Sequence, residues 1–467
     1  MDNPGRHGSG GGFQGSAPLV SVSGNAVISK LLVVGHTDRV ITPSEGLSVV
    51  GDRQPLEIRE ELGAVAEALR ASINDRTSNT ADRLQAVAAG LERIIAKLIV
   101  YANRGAPQVR AAARTVSELI DRLELMLPEA SSLRVNLAML HNEMGNYMGS
   151  LHEAERLLQR EPYRSRYLML AGTALLNMCD FPFAKAVFDT IVESAELTRP
   201  STEHESELEL LTAEQFRQLW IPHYQGKPVS TLRSAPDLIA RARETSVRQE
   251  AGIIHRVARA QNDLATSHKD RDLLSRSLRN HRKAMRLVKG EYNFHMPMAE
   301  YYTLMALGFE GQARSWHETH ELAAGLNDAA QAHICLLESR RLRRDGCYFA
   351  AVEQATRARD IWCMTLHLKG MVDALVSRAQ AYFVIGTHRF LVQAAEDIAV
   401  ASTIASAHDF DVGYEARLLR PRCAERLERK DELQIKVHVA ALRSQVPQLF
   451  RPTESSVASV ITAFREH

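Results

Sequence analysis

The chain has 467 residues, of which 45% are hydrophobic and 24% are charged, and its formal net charge is +1. These proportions are ordinary for a folded chain, and the small net charge excludes a protein whose whole surface depends on attraction to nucleic acid or anionic lipid. The length allows several globular domains or one extended array of repeats. Aromatic residues are only 6%, and the abundant alanine, leucine and arginine favour helices.

The first 52 residues differ from the rest of the chain. Residues 1–16 are rich in glycine, which predicts a flexible tail without the order of a secretory signal. Residues 17–52 alternate short β-branched runs with turns such as Gly24-Asn25, which predicts a small β meander. Because it is too small to fold alone, we expect it to pack on a neighbouring element. A second copy of the chain could also cover it, so this region is a candidate for self-association.

Residues 53–128 have apolar side chains at helical spacing. Leu62, Val65, Leu69 and Ile73 follow one another at steps of three and four residues. This pattern repeats in two further segments and predicts a helical hairpin or bundle that ends at Pro128.

Residues 129–467 show helical segments separated by short turns and no strand pattern. Their continuity is broken at residues 199–235, where an acidic stretch is followed by a loop that contains proline and glycine. A series of paired helices over this length predicts an α-solenoid. We therefore expect strands nowhere after Pro128.

A repeated turn gives the period of this array. Gly145 and Cys179 each precede an aromatic residue by two positions, Tyr147 and Phe181, and their sequence numbers differ by 34 (179 − 145). Pro162 cannot continue a helix interior and predicts the end of the first repeat's second helix. A difference of this size is the period of tetratricopeptide repeats.

Small residues complete this pattern. Gly172 and Ala184 occupy places where two helices of one repeat cross closely. At these positions the chain resembles the tetratricopeptide repeat family. The resemblance implies a right-handed superhelix of helix pairs, and it implies a function in holding other proteins.

Further turns are predicted at Gly308, Gly346 and Gly386. The sequence numbers of these glycines differ by 38 (346 − 308) and by 40 (386 − 346). Both differences exceed the period of the first two repeats and are similar to the longer tetratricopeptide variants of bacterial signalling proteins.

In the tetratricopeptide family the first helix of each repeat lines a concave groove. The resemblance implies that the following residues line it here: Asn142, Arg166, Tyr302, Arg340, Arg343, Arg344 and Gln380. The three arginines lie within one helical turn, an arrangement that suits a carboxylate or an acidic peptide. An internal explanation is also open, because Glu338 and Asp345 are near in sequence and could form surface ion pairs with them.

A second group of cations follows one helix face. It consists of Arg276, Arg279, Arg282, Lys283 and Arg286, and we call it the basic stripe. Residues 241–289 contain thirteen Lys and Arg against five Asp and Glu. The stripe is either a solvated face balanced by the acids of residues 203–209 or a docking surface for an acidic partner or nucleic acid. Interleaved aromatic residues are missing, so nucleic acid is not an expected partner.

No catalytic, cofactor or metal motif is apparent. His317-Glu318-Thr319-His320 is one residue shorter than the zinc motif H-E-x-x-H and lacks a third ligand. None of the five cysteines is in a C-x-x-C spacing, and we expect reduced, buried thiols, including Cys347 and Cys363. The longest dense apolar run, residues 94–100, is too short to span a membrane, so we expect a cytoplasmic protein.

The sequence therefore predicts a non-enzymatic scaffold or adaptor that binds a protein segment in the groove of a helical repeat array. The alternative is a signal receptor of the bacterial kind, in which a peptide or small ligand closes the superhelix and controls a partner effector or transcription factor.

Overall fold

The computed structural model describes residues 54–74, 80–102, 108–162, 164–193, 203–288, 295–309, 311–312, 328–451, 453 and 455–466. The tail and the β meander predicted for residues 1–52 lie outside this part of the chain. Of the described residues, 87% are helical and none is in a strand. The prediction of an all-α chain is confirmed for them.

Three helices form the N-terminal bundle: α1 (Gln54–Asn74), α2 (Thr80–Ala102) and α3 (Gln108–Glu124). Apolar side chains at helical spacing, such as Leu69 and Leu91, fill the core between them. A 3-10 turn, Pro128–Ser131, leads out of α3. The same core continues into the next helix, so Pro128 does not end the bundle's packing.

The first half of the array consists of consecutive helices. These are α4 (Ser132–Glu143), α5 (Tyr147–Arg160), α6 (Ser165–Met178), α7 (Phe181–Glu193), α8 (Glu203–Gln215), α9 (Ile221–Tyr224), α10 (Pro228–Thr245), α11 (Val247–His268) and α12 (Arg271–Leu287). Neighbouring helices pack on one another along the chain.

The second half continues in the same way. Its helices are α13 (His295–Leu307), α14 (Asp328–Arg344), α15 (Tyr348–Thr365), α16 (Leu368–Ile385), α17 (His388–Ala407), α18 (Tyr414–Ala424), α19 (Arg429–Gln445) and α20 (Val457–Glu466). The pairs α14–α15, α15–α16 and α16–α17 are extensively packed.

All five predicted turn positions are confirmed. Gly145, Gly308, Gly346 and Gly386 have φ angles of 74°, 80°, 81° and 77°, in the left-handed region that glycine adopts without steric cost. Cys179 ends α6 in the same conformation, with φ 66°. Each of these residues directly follows or lies close behind the last turn of a helix.

Close packing within the second repeat follows the predicted pattern. Ala184 on α7 is fully buried. A Cβ atom added to Gly172 on α6 would lie 2.6 Å from Cε1 of Phe188, so the two helices approach where there is no room for a side chain. Pro162 lies just beyond the end of α5. These local predictions are confirmed.

The segment in which a break was predicted is largely helical. Between α8 and α9, residues Phe216–Trp220 form a π-helical turn. Pro222 follows near the start of α9. Proline has no backbone N–H, so one hydrogen bond of the regular helix is missing there, and a π-type turn is one way in which a helix adjusts to this loss. Only Gln225, Gly226 and Lys227 separate α9 from α10.

The array is closed on itself by contacts between distant parts of the chain. The backbone N–H of Asp411 donates to the carbonyl of Tyr224 at 3.0 Å. The N–H of Thr453 donates to the carboxylate of Asp180, 273 residues away, at 2.5 Å. One apolar core extends from Val135 to Ile461. These contacts join the first half of the array to its C-terminal helices.

A buried ionic network joins the bundle to the array. Arg134 on α4, whose side chain is 4% exposed, donates to both oxygens of Glu124 at 2.7 Å and to Glu153 and Asp121 at 2.6 Å. Burial opposes the charge, but these hydrogen bonds outweigh it and raise the pKa of Arg134 above its usual value. Helices α3, α4 and α5 are thereby held by one guanidinium group.

Among the described helices, α17 alone is long and apolar enough to cross a membrane by composition. Half of its most apolar window is buried inside the protein. It also contains Asp397, whose carboxylate accepts two hydrogen bonds from Arg378 on α16 at 2.6 and 2.8 Å. These contacts are typical of a core helix.

Candidate functional site

Four of the seven predicted groove residues lie together where α13, α14, α16 and α18 approach one another. The guanidinium of Arg340 lies over the ring of Tyr302, 5.2 Å from its centroid. Gln380 donates to Glu415 at 2.8 Å. The Glu415 carboxylate in turn interacts electrostatically with both Arg340 and Arg343.

The other three predicted groove residues have different surroundings. Asn142 accepts a hydrogen bond from Asn177 at 2.8 Å, which links α4 to α6. Arg166 is exposed on α6. Arg344 is also exposed and acts electrostatically on Arg343. No contact in the described part of the chain joins Asn142 or Arg166 to the first four.

The carboxylates that could have neutralised the arginines from within are used by a different residue. Arg341 donates to Glu338 at 2.5 and 2.8 Å and to Asp345 at 3.0 Å. It projects from the helix in another direction than Arg340 and Arg343. Ion pairs within α14 and its C-terminal turn therefore neutralise Arg341, and they do not involve Arg340 or Arg343.

A third arginine, Arg259 on α11, belongs to the same site and interacts electrostatically with Tyr302. Within the described residues Arg259 makes no ion pair or hydrogen bond, and the close partner of Arg340 is the Tyr302 ring. Nη1 of Arg343 is buried without a hydrogen bond. Burial, with repulsion from Arg340, lowers the pKa of Arg343 despite the nearby Glu415.

The remaining charged groups around Tyr302 are paired. Lys369 donates to Asp373 at 2.5 Å, and this carboxylate raises the pKa of the lysine although burial opposes it. His223 on α9 lies 3.0 Å from Asp263 on α11. Burial lowers the pKa of His223 to about 4 in spite of this carboxylate.

We refer to these side chains as the inner cluster: Arg259, Asp263, Tyr302, Arg340, Arg343, Lys369, Asp373 and Glu415. It contains four cations and three carboxylates. Burial opposes the charge of Arg340, but Tyr302, Glu415, Asp373 and Asp263 raise its pKa above the usual value. Arg343, whose pKa is lowered by burial, has less compensation.

Parts of the inner cluster are accessible to solvent. The side chain of Asp263 is 58% exposed. It interacts electrostatically with His223, Arg259 and Lys369, which come from three different helices. Arg259, Arg340 and Arg343 are themselves only half-buried, so part of each residue is available to a ligand.

Arg256, one turn of α11 before Arg259, is fully buried. Its guanidinium carbon lies 3.5 Å from the centroid of the Trp220 ring in the π-helical turn and 5.1 Å from that of Tyr224. Its three guanidinium nitrogens have no hydrogen-bond partner, and burial lowers its pKa to about 10. The cation is stabilised by aromatic faces. No local sequence pattern indicates this residue, because its aromatic partners are far away along the chain.

The basic stripe lies on the exposed face of α12. All five of its cations are exposed, while Leu274, Leu278 and Ala284 on the other side are buried. Arg282 pairs with Glu300 at 2.7 Å. Of the acids that were expected to balance the stripe, Glu209 instead accepts a hydrogen bond from Ser165.

The thiols differ in part from expectation. Cys179, Cys335, Cys363 and Cys423 are buried as predicted, whereas Cys347 is exposed at the start of α15. Burial raises the pKa of Cys179 and of Cys363 to about 12, which keeps them protonated.

No group of three metal-binding side chains occurs in the part of the chain that the structure describes. The His317–His320 motif lies outside it.

The chain was compared with known proteins by sequence. It matches no protein-family model, and no curated protein is significantly similar to it. The class that the structure defines is an all-α protein of adjacent packed helices.

Proposed function

We propose that this chain is a tetratricopeptide-like repeat protein that binds a carboxylate-bearing segment of another protein at the inner cluster, without catalysing a reaction. The spacing between Gly145 and Cys179, which equals the period of that repeat, and the turns at both residues support the family. One observation carries the binding function. Arg259, Arg340 and Arg343 are half-buried, belong to one cluster and make no ion pair with a carboxylate among the described residues.

Physical chemistry favours an anionic partner at this site. Arginines held close together repel one another, and a partly buried guanidinium without a hydrogen-bond partner carries an uncompensated desolvation cost. A carboxylate accepts two parallel hydrogen bonds from the planar guanidinium. Each charge-assisted bond contributes roughly 1.5–3 kcal/mol.

A second candidate function is a receptor for a small anionic ligand. It is supported by the closure of the array through Asp411–Tyr224 and Thr453–Asp180, since a closed interior admits a small molecule more easily than a long segment. Both functions use the same arginines and differ in the size of the ligand.

The experiment measures binding of a labelled, short glutamate-rich peptide and of its glutamine counterpart to the full chain. We expect binding of the first, and a loss of at least tenfold in the Arg340→Ala, Arg343→Ala double variant. Raised salt should also weaken binding, but less than the double variant does, because partly buried charges are screened less than exposed ones. Arg341→Ala on the same helix is the matched control, since Arg341 is already paired, and it should bind as the wild type does.

Equal binding by the wild type and the double variant would remove the inner cluster from the site. Binding of succinate in place of the peptide, with a more compact particle in small-angle scattering, would favour the receptor over the adaptor.

A further inference from the structure

The basic stripe is a regular row of charges. Arg276, Arg279, Lys283 and Arg286 follow at steps of three, four and three residues on one exposed face of α12. Ten residues of α-helix rise by about 15 Å, so the four charges form a straight row of that length.

Three other cations in residues 241–289 have carboxylate partners. Arg241 pairs with Glu214, Arg243 with Glu250 at 3.1 Å, and Arg282 with Glu300. By contrast, the four cations of the row make no ion pair or hydrogen bond within the residues that the structure describes. This face of α12 therefore carries four exposed positive charges in a row that pair with no carboxylate of the described residues.

The chemistry of this face decides what kind of partner fits it. A protein interface needs a buried apolar centre, and α12 has no exposed large apolar side chain. Four exposed ion pairs with an acidic helix would together contribute only about 1–2 kcal/mol, at roughly 0.3–0.5 kcal/mol each. That is too little to offset the loss of rotational and translational freedom on association.

Nucleic-acid phosphates do not have this limitation, because each cation that neutralises a phosphate releases condensed counterions. The absence of Phe, Tyr and Trp from α12 disfavours single strands, whose bases need aromatic stacking partners. It does not disfavour a duplex, whose bases are already stacked and whose backbone is bound by charge alone.

We propose that the exposed face of α12 binds the phosphate backbone of double-stranded nucleic acid, independently of sequence, through Arg276, Arg279, Lys283 and Arg286. DNA and RNA duplexes offer the same phosphate chemistry. This surface is separate from the inner cluster, and it binds whether or not the interior holds a ligand.

The test uses the full chain with labelled duplex DNA, duplex RNA and a single strand of mixed sequence. With four phosphate contacts, the logarithm of the association constant should fall with the logarithm of salt concentration with a slope of about −3.6, from about −0.9 per contact. That slope corresponds to a loss of about a hundredfold in affinity between roughly 50 and 200 mM salt. If only the DNA duplex or only the RNA duplex binds, that result identifies which nucleic acid the surface recognises.

The decisive comparison is between two variants with the same change in net charge. R279Q/K283Q/R286Q removes three stripe cations, and R429Q/K436Q/R443Q removes three exposed cations of α19. The first should reduce the salt slope to about −0.9, and the second should leave it unchanged. Both should melt as the wild type does, because these side chains are exposed.

Three outcomes would overturn the proposal. One is the absence of duplex binding at low salt. Another is an equal loss in both variants, which would indicate general charge attraction. The third is binding of the glutamate-rich peptide through the stripe without duplex binding, which would identify the surface as a site for acidic proteins.

Discussion

Replacing Arg134 by methionine keeps an unbranched apolar stem but removes the guanidinium, its charge and its four hydrogen bonds to carboxylates. Glu124 and Glu153 are each 4% exposed at the side chain, so water cannot replace the lost guanidinium. Asp121 is 46% exposed and regains solvent.

The expected cost is about 3–5 kcal/mol, the usual effect of leaving a buried charge without its partner. Asp121 adds at most about 1 kcal/mol, because exposed ion pairs contribute little. Glu124 keeps its bond to Arg160 at 2.8 Å, which places the expected cost near the lower end.

Hydrogen exchange of the amides of α3 and α4 measures this cost locally. Since about 1.4 kcal/mol is a factor of ten, exchange through opening of these helices should accelerate about a hundredfold or more. Arg156→Ala is the control: this side chain is 36% exposed and bonds to Asp121, and its loss should cost no more than about 1 kcal/mol. Replacing Glu124 and Glu153 by glutamine in the Arg134→Met chain should restore part of the protection.

Unchanged exchange in Arg134→Met would refute the argument, because it would show that the buried carboxylates do not need the guanidinium.

Two other sites give predictions for stability. Ala184→Leu should overpack the α6–α7 crossing at a cost of roughly 1–3 kcal/mol, and an unchanged melting curve would contradict the close packing. Gly172→Ala should also destabilise, because its Cβ would meet the Phe188 ring at 2.6 Å, and Phe188→Leu should partly relieve the effect. Burial lowers the pKa of His223 to about 4 and of His281 to about 3, so both are neutral when folded. As the pH falls, these histidines are protonated in the unfolded chain before they are protonated in the folded chain. The free energy of unfolding is therefore highest above pH 6.5 and decreases as the pH falls towards 4. The loss is roughly 3 kcal/mol for His223. Urea unfolding at neutral and mildly acidic pH would show it, and His281→Asn should reduce the dependence.

The helical class and the turns could be predicted from the sequence, since both depend on local properties. Glycine adopts positive φ angles without steric cost at any position in a chain. Gly145 and Gly386 therefore indicate turns without reference to the rest of the molecule. The small residues Gly172 and Ala184 lie within one helix pair, and their close approach also follows from sequence spacing.

The candidate site could be predicted only in part. Arg340 and Arg343 were identified from their spacing on one helix. Arg259 and Asp263 lie on α11 and reach the same interior only because the array closes on itself. Spacing along α14 also could not show that the nearby carboxylates bind Arg341 instead.

By itself, the sequence determined where helices end and which positions must be small, because these follow from backbone sterics and helical periodicity over a few turns. Tertiary structure alone decided which charges are paired. Arg134 donates a hydrogen bond to Glu153, which is 19 residues away in sequence. The N–H of Thr453 donates to Asp180, which is 273 residues away. Electrostatic partnership depends on distances of a few ångströms in space, and these are set by how the whole array closes.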